Sequence, residues 1–176
     1  MTDSLPLAHS TNLARLGNAG EVVTFAADDA ARPAIARWAG VLSLQRLDAR
    51  VEITKLGPVR FGLDFTLRAD VTQACVVTLE PVPARIDHRF HRELHFTGPV
   101  RHKPGAESVS DLVLDSDEEE GPEEISSLHY DLAVPVLEEF VLSLEPYPRC
   151  PGVEFTPPSE APGLSESPFA ALKSLK

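Results

Sequence analysis

Cysteine, aromatic residues, positive charge and long apolar runs are all scarce in this 176-residue chain. Its two cysteines, Cys75 and Cys150, lie far apart in sequence, and the stretch from Met1 to Pro6 has no basic region of the kind that begins a signal peptide. We therefore expect a cytoplasmic protein whose thiols are free. No apolar run is long enough to cross a bilayer, so no membrane partner is expected. Aromatic residues make up 6% of the chain, so the core should consist mainly of Val, Leu, Ile and Ala.

Sequence motifs of catalysis are also missing. The chain has no GxGxxG fingerprint, no P-loop, no Gly-x-Ser-x-Gly elbow and no HExxH pair. Paired carboxylates are abundant only in an acidic stretch, where solvation rather than a tuned pKa is the expected state. We therefore predict no enzymatic activity, no catalytic residue, no cofactor and no small-molecule substrate.

The acidic residues are unevenly distributed. The net charge of −11 argues against a protein that coats nucleic acid by charge alone. Thirteen of the 27 acidic residues fall between Glu107 and Glu145, a stretch that has no Lys or Arg. The rest of the chain has 16 basic and 14 acidic residues. A local basic face is therefore compatible with the acidic total.

Hydrophobic periodicity predicts a strand and a helix in the first part of the chain. Residues 21–25 are typical of a short strand, and Asp28 or Asp29 is a suitable N-cap for a helix with Pro33 in its first turn. Apolar residues at helical spacing predict one buried face, with Trp38 as a core anchor. The residues of that face are Ile35, Trp38, Val41 and Leu42.

From residue 49 the period changes to two. Alternation over residues 51–54 and 61–69 predicts half-buried strands. Two more strands are predicted over residues 75–79 and 85–96, the first of them ended by Pro81 and Pro83. Residues 125–130 predict one further short strand. The short connections favour antiparallel pairing over βαβ crossovers.

A second helix completes the predicted α+β fold. It starts from an N-cap at Asp131 and runs to Leu144, with an apolar stripe of Val134, Leu137, Val141 and Leu144. The sheet should be antiparallel, strongly curved and partly barrel-like. Residues 1–20 are expected to be partly ordered and residues 21–150 to form one domain, interrupted by a disordered acidic loop over about 104–124. Residues 151–176 should form a Pro-rich tail with a short terminal helix.

A basic cluster near the fourth strand is the candidate RNA contact. Its residues are Arg85, Arg89, Arg92, Arg101 and Lys103. Alternation along a strand places Arg85, Arg89, His91 and His95 on one face, which could follow RNA phosphates, with Phe90 or Phe96 stacking on bases if exposed. The alternative is a solvated edge strand protected by its charges. Histidines four apart on a strand are too distant to share a metal ion.

The acidic run also has two interpretations. Asp117, Glu118, Glu119 and Glu120 lie at its centre. They either solubilise a disordered insertion or attract a basic partner, such as a ribosomal protein not yet seated on its RNA.

Three motifs carry a resemblance to a known family. They are the strand 75–82, the Tyr-Pro-Arg-x-Pro-Gly segment that starts at Tyr147, and the terminal Pro-Phe-Ala-x-Leu that starts at Pro168. In this order and spacing they resemble the YceD family, the large ribosomal RNA subunit accumulation proteins of bacteria and plastids. The family usually has Asn before the last motif, where this chain has Ser167.

The resemblance implies a non-enzymatic factor that supports the accumulation or processing of large-subunit rRNA. Its partner is then that rRNA or a ribosomal protein. Tyr147, Pro148 and Arg149 are the predicted partner-contact motif, because an aromatic residue and an Arg between prolines form a rigid surface feature. An acidic adaptor for a basic ribosomal protein is the main alternative, and a metal-dependent RNA hydrolase a remote one.

The resemblance also bears on metal binding. Some family members have paired Cys-x-x-Cys spacings that suit tetrahedral zinc. Here Thr78 stands three residues after Cys75, and Cys150 is alone, so we predict no metal site. Whether the two cysteines approach each other in the fold stays open.

Overall fold

A computed structural model of the chain describes residues 5–98 and 121–155. Ten elements follow one another along these residues. They are β1 (Ser10–Asn12), a 3-10 helix (Leu13–Arg15), β2 (Glu21–Ala26), α1 (Ala31–Ala39), β3 (Ser43–Lys55), β4 (Arg60–Ala74), β5 (Pro81–Phe96), β6 (Glu123–Ile125), β7 (His129–Asp131) and α2 (Ala133–Leu142). Arg101, Lys103, residues 107–120 of the acidic stretch (with Asp117–Glu120) and the tail helix predicted around Pro168 lie outside the described residues.

Three long strands, β3, β4 and β5, form the centre of the molecule. They pair antiparallel along almost their whole lengths, with Val51 opposite Phe65 and Phe65 opposite Phe90. Because side chains alternate between the faces of a strand, one register places all the apolar residues on the same side. Leu63 and Leu67 on this core face are fully buried. The predicted alternation over 61–69 is confirmed, and the strands extend beyond the predicted limits.

The sheet is open rather than closed into a barrel. Its strand order is β2-β3-β4-β5-β6, and no pairing joins β2 to β6 among the described residues. Every pairing is antiparallel except the short parallel one between β5 and β6. The α+β class with two helices is therefore confirmed, whereas the barrel-like closure is not. β6 begins at Glu123, within the segment expected to be a loop.

Helix α1 is shorter than its apolar pattern predicted. Gly40 adopts φ 70° and ends the helix, so Val41 and Leu42 lie beyond it. Ile35 and Ala36 form its buried face. The prediction that Trp38 is a core anchor is wrong, because Trp38 is 43% exposed. Helices of nine residues present only a narrow stripe to the sheet, and Trp38 falls at the edge of that stripe.

Asp28 provides the predicted cap of α1. Its Oδ1 accepts hydrogen bonds from the backbone N–H groups of Ala30 and Ala31, at 3.1 and 2.7 Å. Two of the donors that a helix leaves unpaired at its start are therefore satisfied by one carboxylate.

The buried residues in and just after α2 overlap the predicted stripe in part, since Leu137 is buried and Leu144 packs against the core. Ala133, Val136, Leu137 and Phe140 are fully buried, whereas Val141 is 38% exposed. Apolar residues lie on more than one side of this helix. The side that carries the large Phe140 ring is the one that packs against the core. Neither α1 nor α2 is long and apolar enough to span a membrane.

The N-terminal segment is tied to the start of α2. β1 pairs with β7, and Asp131 Oδ1 accepts hydrogen bonds from His9 N at 2.7 Å and Ala133 N at 3.0 Å. Leu13 and Leu16 are buried in the same core as α2. Asp131 thus caps the helix, as its sequence position predicted, and also anchors residues far away in the chain.

The predicted third strand is a turn instead. Residues 75–80 connect β4 to β5, and Leu79 N donates to Cys75 O over 2.9 Å. Leu79 has φ 63°, a left-handed conformation that is uncommon for a branched side chain. Pro81 begins β5 rather than ending a strand, because the first residue of a strand can do without an N–H donor.

Candidate functional site

The face of the sheet opposite the core is polar and highly charged. We call it the open face. Three rows of side chains cross all four strands from β2 to β5. The central row consists of Thr24, Arg50, Thr66 and Arg89. A cleft of about 1040 Å³ lies over these residues. Six arginines and six carboxylates project here from β3, β4 and β5: Arg46, Arg50, Arg60, Arg68, Arg85 and Arg89, with Asp48, Glu52, Asp64, Asp70, Asp87 and Glu93.

The charges of the open face are arranged in pairs. Arg85 Nε donates to Asp70 Oδ1 over 2.9 Å, and Arg68 Nε lies 3.2 Å from Asp87 Oδ2. The other ion pairs are Arg46–Asp48, Arg50–Glu52 and Arg60–Glu93, and His91 Nδ1 lies within hydrogen-bond distance of Asp64 Oδ1, at 2.9 Å. Arg89 is the arginine of this face that has no ion-pair partner within the part of the chain that the structure describes. The face therefore presents little net positive charge to a nucleic acid.

The predicted RNA-contact residues of β5 divide between the two faces. Arg85 and Arg89 share the open face with His91 and His95, as the alternation predicted. Arg92 lies on the core side, where its guanidinium bonds Glu139 Oε1 at 3.2 Å and approaches Glu138 on α2. A single flat surface cannot contact Arg85, Arg89 and Arg92 together.

The aromatic residues of β5 also turn away from the open face. Phe90 stacks on Phe65 with ring centroids 4.5 Å apart, and both Phe90 and Phe96 are partly buried against the core. Their rings stabilise the sheet, so base stacking on the open face would need another aromatic residue.

A second surface forms where residues 143–152 pass the turn 75–80. We call it the junction. Val76 N donates to Pro148 O over 2.9 Å, and Gln73 Nε2 donates to Glu145 O over 2.9 Å. Gln73 is buried, and its Oε1 has no hydrogen-bond partner among the described residues. These contacts fix a segment that has no regular secondary structure of its own.

The predicted partner-contact motif lies on the junction with its outer residues exposed. Pro148 is buried, while Tyr147 is 70% exposed and Arg149 is exposed. Within the described residues Arg149 has no ion-pair partner. Two apolar residues of the turn 75–80, Val76 and Leu79, are also exposed. A buried proline between an exposed aromatic and an exposed cation holds both in fixed positions, which lowers the entropy lost on binding.

The two cysteines meet at the junction. Cys75 is fully buried, and its Sγ accepts a hydrogen bond of 3.4 Å from Cys150 N. Cys150 is partly exposed, and its Sγ lies 3.8 Å from Thr78 Oγ1. The hydrogen bond of the Thr78 hydroxyl, with the N–H of Cys150 and those of the turn, lowers the pKa of Cys75 to about 6. Burial, with the nearby Cys75 sulfur and Glu80, raises the pKa of Cys150.

Thr78 links the two cysteines through hydrogen bonds. The lowered pKa favours the thiolate of Cys75 at neutral pH, and the raised pKa favours the thiol of Cys150. The Thr78 hydroxyl has one proton and two acceptors for it, Glu80 Oε2 at 3.3 Å and the Cys75 sulfur. The hydroxyl oxygen then accepts from the Cys150 S–H and from Glu80 N, which lies 3.4 Å away. The sequence marked Thr78 only as a departure from a metal-binding spacing, because its contact with Cys150 depends on the return of the chain after α2.

The junction does not match a structural zinc site. Such a site needs four ligands, mostly thiolates or imidazoles. The described residues contain no cluster of three or more His, Cys, Asp or Glu that could hold a metal ion.

Comparison with known proteins identifies the family. A family model described as large ribosomal RNA subunit accumulation protein YceD matches residues 63–176. The matched range contains most of β4, all of β5 and α2, and both segments of the junction. No curated protein and no solved structure gave a significant match. Because the family model covers well over half of the chain and includes the three motifs that resemble it, the chain belongs to the YceD family of large ribosomal RNA subunit accumulation proteins.

Proposed function

We propose that this chain is a non-enzymatic factor that supports the accumulation of large-subunit rRNA by contacting that RNA through Tyr147 and Arg149. The observation that carries the proposal is the exposure of both side chains on either side of a buried proline, inside the range that the family model covers. A tyrosine ring can stack on an unpaired base, and a guanidinium can bond a phosphate or a base edge.

The open face supports the same choice by contrast. Its arginines are compensated by carboxylates, and Arg89 alone among the described ones is not. A neutral, salt-bridged surface gains little from counterion release, which provides most of the non-specific affinity for nucleic acid. The predicted contribution of Arg85 and Arg92 to RNA binding would require their present ion pairs to break. The junction requires no such exchange.

Ultraviolet crosslinking in growing cells, followed by sequencing of the attached RNA, tests the proposal. We expect discrete peaks on large-subunit rRNA for the unmodified chain. The double substitution Tyr147→Ala and Arg149→Ala should lower them about tenfold or more, since one stacked base contributes on the order of 1–3 kcal/mol. The matched controls are Phe155→Ala and Arg37→Ala, which remove an exposed aromatic ring and an exposed cation elsewhere. Unchanged peaks in the folded double variant would contradict the proposal.

The acidic stretch favours a second candidate, an adaptor for a basic ribosomal protein. Among the described residues of this stretch, Glu123, Glu124 and Glu138 are exposed. The run Asp117–Glu120 adds four acidic residues in the sequence, outside the described residues. Reversing the four charges of that run to Lys should abolish the capture of a basic ribosomal protein and leave RNA crosslinks at the junction intact. The opposite pattern, loss of RNA with capture intact, is expected for the Tyr147 and Arg149 variant.

A further inference from the structure

Cys75 and Cys150 approach each other although they are 75 positions apart in the sequence. The Sγ of Cys75 lies 3.4 Å from the backbone N of Cys150, and both residues contact Thr78. Disulfides require Cα atoms about 4.4–6.8 Å apart. A sulfur in hydrogen-bond contact with the other cysteine's own backbone lies within the reach of its side chain. The S–S bond can then form by side-chain rotation and small shifts of a surface segment.

We propose that Cys75 and Cys150 form a reversible intramolecular disulfide by thiol–disulfide exchange with a low-molecular-weight disulfide of the glutathione type. The inference is independent of RNA binding and concerns a covalent modification site of the chain. No other cysteine is present, so every disulfide within one molecule must join these two sulfurs.

Exposure determines which sulfur reacts first. Cys75 has no exposed surface, whereas Cys150 is partly exposed. An incoming disulfide can therefore reach Cys150 but not Cys75. The low pKa of the Cys75 thiolate suits it to the second step, in which it attacks a sulfur that is already beside it.

The two steps balance in atoms and electrons. In the first, Cys150 loses its proton to water and its thiolate attacks one sulfur of oxidised glutathione, an S–S bond forms between Cys150 and glutathione, and one glutathione thiolate leaves. In the second, the Cys75 thiolate attacks the Cys150 sulfur, the Cys75–Cys150 bond forms and the second glutathione thiolate leaves. The two cysteines are oxidised by two electrons, and the glutathione disulfide is reduced to two thiolates; the proton that Cys150 gave up returns to one of them, and the other takes a proton from water.

The bond would fasten the end of β4 to the segment that follows α2. Hydrogen bonds from Val76 to Pro148 and from Gln73 to Glu145 already hold these segments together. The native state therefore needs little rearrangement, while the unfolded chain loses the freedom of a long loop. Because Cys150 is accessible, a reducing thiol can reverse the reaction, as expected for labile rather than structural disulfides.

The test treats the purified full chain with oxidised glutathione under native conditions. We expect a product lighter by two hydrogens, a crosslinked peptide that joins Cys75 to Cys150, and a Tm increase on the order of 5–10 °C. The same reaction in urea should have an equilibrium constant at least about tenfold lower, since the unfolded chain does not bring the sulfurs together. A glutathione adduct that persists on Cys150, or a product made mainly of crosslinked dimers, would overturn the proposal.

Two single substitutions separate the steps. Cys75→Ser should trap the glutathione adduct on Cys150, because the resolving thiolate is gone. Cys150→Ser should remain unmodified in the native state and react only after unfolding, because Cys75 is buried. Equal modification of native Cys150→Ser and the native unmodified chain would overturn the assigned order. If a substituted chain fails to fold, the comparison of native and urea reactions of the unmodified chain still decides.

Discussion

The two faces of the five-stranded sheet hold side chains in opposite ways, although the same strands supply both. On the core face Phe65 and Leu67 are buried against α2 and the N-terminal segment. Thr66, the residue between them, points to the open face, where it lies in a row with Arg50 and Arg89. The core face depends on shape and apolar area, whereas the open face depends on charge pairs that water and salt weaken.

That contrast explains why the junction is the better candidate for recognition. The core face is inaccessible, and most cations of the open face already have carboxylate partners. The junction exposes Tyr147 and Arg149 on a segment held by the buried Pro148. Exposed groups without internal partners have the most to gain from an external one.

The largest expected effect on stability comes from removing a large side chain from the core face. Phe65→Ala should lower the free energy of unfolding by about 3–5 kcal/mol, because it removes a buried ring and leaves a cavity next to Phe90. Thr66→Ala, one residue further along and on the open face, should change it by less than about 0.5 kcal/mol. Urea denaturation of the two variants measures both values. Similar losses from the two substitutions would mean that the faces do not differ in the way their burial suggests.

Cys75 gives the next test, because it carries a charge on the buried side of the sheet. Its pKa is about 6 in the folded chain and 9.0 for an ordinary thiol. Between these values the unfolded chain binds more protons, so stability should rise with pH from about 6 to 9 and be lost as pH falls through 6. Cys150 has a raised pKa, so its own effect falls above this window.

The measurement is the urea midpoint of the unmodified chain minus that of Cys75→Ala, at several pH values under reducing conditions. The difference should grow between pH 6 and 9 and stay constant below. Thr78→Val should flatten the increase, because it removes the hydroxyl that donates to the thiolate while keeping the side-chain size. Parallel pH curves for the unmodified chain and Cys75→Ala would show that the thiolate is not stabilised by its contacts.

Much of the fold was predictable from local pattern, and the errors have a common cause. The alternation over residues 61–69 specified β4, since a one-residue slip would expose every Phe and Leu. Trp38 and Val141 were assigned to buried faces although both are exposed, because apolar residues lie on more than one side of each helix and only packing selects which side is buried. Residues 75–79 include the apolar and β-branched types that are typical of a strand, yet they form the turn that connects β4 to β5.

The candidate site was predictable in its residues but not in its arrangement. Tyr147, Pro148 and Arg149 follow from the sequence as a rigid surface motif, and the alternation of β5 correctly placed Arg85 and Arg89 together. The cross-strand pairs Arg60–Glu93, Arg68–Asp87 and Arg85–Asp70 depend on register, which a single strand does not reveal. The meeting of Cys75 with Cys150 depends on the path of the chain after α2. Such long-range contacts leave no local signal.

A smaller effect should distinguish the cations of β5 that lie on opposite faces. Arg92 is partly buried and bonds Glu139, whose side chain is only 17% exposed. Arg92→Ala should therefore cost about 1 kcal/mol, since it leaves a shielded carboxylate with fewer donors. Arg85 is 83% exposed, and Arg85→Ala should cost less than about 0.5 kcal/mol. Urea midpoints at low and high salt measure both, and equal losses for the two variants would contradict the contrast between the faces.

The smallest expected effect on stability belongs to Arg89, which has no ion-pair partner in the described part of the chain. Arg89→Ala should leave the urea midpoint unchanged, so any change in RNA crosslinking can be assigned to contact rather than to folding. If the open face contributes to binding at all, Arg89→Ala should lower crosslinking more than Arg85→Ala, because the Arg85 charge is already compensated by Asp70. Equal crosslinking in the unmodified chain, Arg85→Ala and Arg89→Ala would leave the junction as the RNA surface. A loss confined to Arg89→Ala would move that surface to the sheet.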